Sequence, residues 1–170
     1  MGLLELIEQK AFLGTEFLTW LWRQSELHDG RIDLGDEPPL EVALEDTLTL
    51  EAPYGEATVQ VLRGEAPGRS PEARAALIEG KKAQRAKLRL SQGEMQWTLT
   101  LRADTFDFSG IRIPAPKGLP FEEGVSLRLQ AAEALLALMD KLFAAFLAVR
   151  LDPQAWPREL KSIRGWIAPK

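Results

Sequence analysis

The clearest pattern in the chain is an alternation of apolar and polar residues on both sides of a tight turn. Ala86, Leu88 and Leu90 fall on one side while Arg85, Lys87 and Arg89 fall on the other. After the turn signal Ser91-Gln92-Gly93-Glu94, Trp97, Leu99 and Leu101 alternate with Gln96, Thr98 and Thr100. Successive side chains of a strand point to opposite faces, so each strand buries one face and wets the other. An antiparallel sheet covered on one side gives this pattern. A second hairpin is predicted over 46–63. There Leu48 and Leu50 alternate with Thr47, Thr49 and Glu51, Val59 and Val61 alternate with Thr58 and Gln60, and Pro53-Tyr54-Gly55 supplies the turn. A weaker strand runs from Phe106 to Ile113, before Pro114 and Pro116 stop it.

Helical spacing frames these strands. From Gly2 to about Glu26, Leu3, Leu6 and Ile7 form one stripe and Phe17, Leu18, Leu21 and Trp22 another. Gly14-Thr15 marks a break between the two, with Thr15 as N-cap of the second piece, and His28-Asp29-Gly30 ends the helix. A short helix is predicted over 70–80, with Ser70 as N-cap, Pro71 at the first helical position and Gly80 as the stop. The Pro-, Gly- and Lys-rich loop 114–120 leads into a long helix from about Phe121 to Leu151. Asp152-Pro153 ends it, and a final amphipathic piece carries Trp156, Leu160, Ile163 and Trp166-Ile167.

From Ala131 to Val149 the long helix is apolar almost all round, so it must be covered on most sides. Its cover is this chain's sheet and first helix, or a second copy of the protein. It is not a membrane span, because Glu133, Asp140 and Lys141 interrupt it and the longest charge-free run is Leu142 to Val149. The expectation is one α+β domain over 1–170. It is helical over 1–30, a sheet with an inserted helix over 31–113, and helical again over 121–167.

Composition narrows the chemistry. The 170 residues are 45% apolar and include no cysteine, so disulfides, thiolate metal sites and cysteine nucleophiles are excluded. His28 is the only histidine, which nearly removes imidazole metal sites. The start MGLLELIEQK has acids within its apolar run and no basic leader, so it does not read as a signal peptide and a cytoplasmic protein is expected.

Charge is segregated more than it is unbalanced. Lys and Arg number 21 against 25 Asp and Glu, a formal charge of −4. From Asp33 to Glu56, however, there are eight acids and no base, and from Arg63 to Arg89 eight bases and three acids. Arg85, Lys87 and Arg89 stand roughly 6.6 Å apart along one strand face, a spacing that can follow successive phosphates. Contacts of that kind ignore sequence and weaken steeply with salt. The plain alternative is the solvated face of a half-buried sheet.

Candidate catalytic groups are poorly supported. Glu79-Gly80-Lys81 has the Glu-x-Lys spacing of one magnesium nuclease class, but it falls at a helix end with no indicated partner aspartate. Asp104 and Asp107 read as turn residues. Ser25 lies three residues before His28, with nothing to orient the imidazole. No catalytic residue, metal or cofactor is assigned, and the chain is expected not to be an enzyme.

The order of certain short motifs is more specific. Leu18-Thr19-Trp20, then Arg23, precede an acidic loop with Leu34-Gly35-Asp36-Glu37 and a hairpin. Ser70-Pro71-Glu72, Leu77 and Gly80-Lys81 follow, then a strand with Leu88 and Leu90, and Trp97, Leu99 and Leu101 lead to Ile111-Arg112-Ile113. Over roughly residues 16–113 this order resembles the second half of the bacterial RdgC family, recombination- and nucleoid-associated DNA-binding proteins. The resemblance implies a non-enzymatic dimer that binds duplex DNA without sequence preference, and Lys81 matches the family's glycine-lysine. The family's DNA-facing lysine-lysine-glutamine stretch is replaced by Gly64-Glu65-Ala66, with Arg63 and Arg69 nearby as substitutes.

The expected nucleic-acid contacts are therefore Lys81, Lys82, Arg85, Lys87 and Arg89, with Arg63 and Arg69. Association of copies is expected through the 121–151 helix. A second reading is a protein interaction module, in which the basic strand meets an acidic surface such as the 33–56 loop of another copy. A third is a metal-dependent nuclease built on Glu79.

Overall fold

The computed structural model describes residues 3–52, 59–113 and 117–169, with side chains described from residue 13 onward. The side chains of the Leu3/Leu6/Ile7 stripe, the Pro53-Tyr54-Gly55 turn, Thr58, Pro114 and Pro116 lie outside what is described. In chain order the elements are α1 (Leu3–Glu26), β1 (Arg31–Ile32), β2 (Leu40–Glu51), β3 (Val59–Arg63), α2 (Pro71–Ile78), β4 (Lys82–Gln92), β5 (Met95–Arg102), β6 (Phe108–Arg112), α3 (Phe121–Arg150) and α4 (Ala155–Ile167). The fold is α+β. One antiparallel sheet of six strands runs β1-β2-β4-β5-β6, and β3 pairs with β2 on the side that β1 also uses.

Helix α1 runs unbroken through the predicted break at Gly14. The glycine serves a tertiary contact instead. A Cβ built there would lie 1.7 Å from the carbonyl oxygen of Ala103, so only glycine lets the helix rest on that backbone. Helix α2 forms as its caps dictate. The Ser70 hydroxyl accepts from the Ala73 amide at 3.2 Å, and Gly80 closes the C-terminus at φ +88.

Strand β2 begins six residues before the predicted hairpin and is irregular. Its pairing with β4 steps from Leu44↔Leu88 to Leu48↔Ala86, so β2 carries two extra residues in a bulge. A compensating shift follows on β4 between Thr49↔Arg85 and Leu50↔Ala83.

The inner face of the sheet carries the core. Leu40, Val42, Leu48 and Leu50 of β2, Ala86, Leu88 and Leu90 of β4, and Trp97, Leu99 and Leu101 of β5 are all buried there. Phe17, Leu18, Leu21 and Trp22 of α1 lie over them in the same apolar cluster. Each large side chain buried in this way contributes about 1.5–3 kcal/mol. Phe17 joins α1 to α3 by ring contacts to Phe143 and Phe146, with centroids 5.4 and 5.5 Å away. The buried indole of Trp97 donates to the Ala131 carbonyl at 2.9 Å and ties α3 to the sheet. Trp20 and Trp22, two apart on α1, both serve packing: Trp20 meets Phe146 and Trp22 meets Trp166 of α4 edge-on.

Cover of α3 is narrower than its composition suggests. Ala131, Leu135, Leu138, Met139, Leu142 and Phe146 are buried, which is a single stripe at helical spacing. No residue from Phe121 to Gln130 is buried, and Phe121 is 84% exposed. By the described residues α3 is covered along one face only, from Ala131 onward. Helix α4 adds polar contacts to the apolar packing of Trp156, Trp166 and Ile167. Arg23 bonds Glu159 and Ser162 at 2.5 Å each, and Arg74 lies 3.9 Å from the Trp166 ring while pairing with Glu26.

Candidate nucleic-acid interface

The outer face of the sheet follows from the pleat. Arg85, Lys87 and Arg89 alternate with the buried Ala86, Leu88 and Leu90, so they stand together on the side away from the helices. Their cross-strand neighbours are polar apart from Ala43. Arg85 faces Thr49 and Arg102, Lys87 faces Thr100, and Arg89 faces Ala43 and Thr98. Arg112 of β6 pairs beside Thr98, and Arg63 of β3 pairs beside Thr47. Cations from four strands thus share one surface.

The bulge in β2 places acids among them. Lys87 Nζ reaches Asp46 Oδ2 at 3.0 Å and Arg89 Nε reaches Glu45 Oε1 at 3.2 Å. The hydrogen bond from Lys87, followed by that from Thr47, holds the Asp46 carboxyl below its ordinary value of 3.8, so Asp46 is ionised throughout the neutral range. Arg102 pairs with Asp104 at 3.0 Å. Arg63, Arg85 and Arg112 form no ion pair with any described residue. The surface is a lattice of charges in which two of the three cations of the β4 row are already held.

The seven residues expected from the sequence do not form one patch. Arg63, Arg85, Lys87 and Arg89 share the outer face. Lys82 joins them, since it pairs with Glu51 one step beyond the buried Leu50–Ala83 pair, and it also borders a cavity under α4. Lys81 is on the helix side. Its ammonium bonds Gln60 at 3.1 Å, lies 3.6 Å from Glu79, and its side chain is only 16% exposed. Gln60 pairs opposite the buried Leu50, which places this contact away from the outer face. Arg69 lies in the 67–69 turn and lines an open cavity of about 530 Å³ with Arg89, Glu45, Asp46, Glu65 and Trp22.

Sequence reasoning missed Glu45 and Asp46 as partners of the row, and Arg102 and Arg112 as members of the face. The acidic run 33–56 was a signal for the former, but which acids meet which bases depends on the bulge. The groups weighed for catalysis are engaged elsewhere. Glu79 and Lys81 face each other, Ser25 Oγ donates to the Trp22 carbonyl at 2.6 Å, and Asp104 holds Arg102 and the Thr105 amide. Among the described residues no three His, Cys, Asp or Glu side chains come together to hold a metal ion, and no helix is long and apolar enough to cross a membrane. No protein-family model matches the chain, and no curated protein matches it.

Proposed function

We propose that this chain is a non-catalytic module that binds the nucleic-acid backbone, duplex DNA first, through the open face of its sheet. One observation carries the reading. A sheet face with no described helix over it presents Arg63, Arg85, Lys87, Arg89 and Arg112, several without an acid partner among the described residues. The Lys87 and Arg89 pairs are partly exposed, and exposed pairs exchange readily for phosphate because they are worth little in water. Backbone contacts of this type carry no base readout. With the resemblance to RdgC, the reading becomes a recombination-associated protein of the nucleoid that works as a self-associated copy.

The test is retention of labelled duplex and single strand, with Arg85, Lys87 and Arg89 together changed to Glu. Three or four phosphate contacts predict affinity falling roughly 40- to 150-fold between 50 and 200 mM salt, and its loss in the triple variant. Duplex retention unchanged by the triple substitution would sink the assignment.

Self-association would use the uncovered start and the exposed flank of α3, where Phe121, Leu129 and Leu136 are 84%, 61% and 55% exposed. Apolar patches of that kind on a polar surface are typical contact sites. Leu129→Glu should convert a dimer into a monomer of unchanged helix content in sedimentation velocity. A wild-type protein that sediments as a monomer at high concentration would remove this part of the reading.

The Asp46–Lys87 and Glu45–Arg89 pairs favour a second reading, a protein interaction module whose basic strand serves an acidic surface of its own chain. Self-association with no duplex retention at low salt would select it.

A further inference from the structure

A cavity of about 180 Å³ lies beneath α4, away from the outer face of the sheet. Its walls come from three directions: Thr15, Glu16 and Thr19 of α1, Leu77, Lys81 and Lys82 where α2 gives way to β4, and the apolar stripe of α4. That stripe is Trp156, Leu160, Ile163 and Ile167, at positions i, i+4, i+7 and i+11, the spacing a helix uses to pack on a core. Only Ile163 is buried; the other three stay half-buried. The strongest amphipathic pattern of the C-terminal region therefore borders a space rather than filling it.

The polar rim is cationic. Lys81, Lys82 and Arg164 border the cavity, and Glu16 is its one acid. The Glu16 carboxylate is already held by Arg150 at 2.6 Å. The mostly buried Lys81 ammonium has a single close acceptor, Gln60, with Glu79 further off at 3.6 Å and itself 65% exposed. An ammonium has three donors, so Lys81 keeps capacity for another acceptor. Apolar walls with a few convergent charges define a small-molecule site. A cavity of roughly 150 Å³ accepts one benzene ring, which sets the scale of what fits here.

We propose that this cavity binds a small organic carboxylate. Its apolar part, of about one aromatic ring or an eight-carbon chain, lies on Trp156, Leu160 and Ile167, and its carboxylate bonds the Lys81 ammonium. Burial of the tail gives affinity, and the charge-assisted bond gives preference for an anion. The residues that would hold the ligand, Lys81 and the α4 stripe, lie off the sheet surface proposed for nucleic acid, so either proposal can fail without the other.

The test uses the full chain and octanoate, with 1-octanol as the uncharged probe of equal chain length. Titration is followed by calorimetry and by tryptophan emission, since Trp156 is in the wall. Octanoate should bind saturably at one per chain, and octanol at least tenfold more weakly. Lys81→Gln should weaken octanoate by about tenfold and leave octanol unchanged, whereas Leu160→Phe, which fills the space, should weaken both. If Lys81→Gln does not fold by circular dichroism, Arg164→Gln, at an exposed position, replaces it with the same expected direction. No saturable octanoate binding up to about 1 mM would overturn the proposal. So would equal binding of octanol, or octanoate binding that Leu160→Phe leaves intact.

Discussion

The two faces of strand β4 are one residue apart along the chain and share almost nothing else. On the inner face Ala86, Leu88 and Leu90 are wholly buried under α1. On the outer face Arg85, Lys87 and Arg89 meet threonines, other arginines and the two acids of the β2 bulge. The inner residues hold the fold by excluding water, where one lost side chain leaves a void that neighbours cannot fill. The outer residues contribute little to stability, since exposed pairs are screened and mobile. Change on the outer face is thus cheap for the fold and decisive for what the surface can attract.

The largest break in this comparison comes from the inner face. Trp97→Ala removes a buried ring and the indole bond to Ala131 that ties α3 down. The expected loss is about 3–5 kcal/mol, read from urea unfolding. A loss within about 0.5 kcal/mol, as at ordinary surface sites, would mean that α3 does not depend on the sheet. A smaller and opposite effect is expected from the outer face. Glu45→Gln combined with Asp46→Asn frees Arg89 and Lys87 while leaving the fold intact. Duplex affinity at low salt should rise by roughly three- to tenfold as two cations become available to phosphate. Affinity that stays level would show that the acids do not compete with the ligand, and would favour the protein-interaction reading.

Much of the architecture was legible because local and tertiary demands agreed. The β4–β5 hairpin has strict alternation, with Trp97, Leu99 and Leu101 inside and Thr98 and Thr100 outside, and it forms as read. The Ser70 cap and Gly80 stop likewise bound α2 as expected. Strand β1 was not legible, since two residues cannot display a period. The start of β2 was hidden because its bulge disrupts alternation between Leu44 and Leu48. Gly14 read as a break because its true reason, the carbonyl of Ala103, is 89 residues away in sequence (103 − 14).

The basic row was visible from spacing alone, but its electrical state was not. Whether Lys87 is free or held depends on a strand register set by contacts distant in sequence. Lys81 looked continuous with the row for a similar reason. Lys81 precedes the strand and turns to Gln60 on the helix side, which adjacency in sequence does not reveal.

The sheet's margins have a consequence for how copies can meet. One margin is β6, five residues long, with a register shift beside it and Gly110 at φ +60 within it. The other is divided between β1 and β3, which leave residues 42–46 of β2 unmatched by either strand. Among the described residues neither margin offers a long straight run of free amides and carbonyls, the template on which strands of other molecules add without end. Growth by strand addition into fibres is thereby discouraged. A self-complementary contact through the flank of a helix, by contrast, closes as a pair, in which the joint is used once and no growing tip remains.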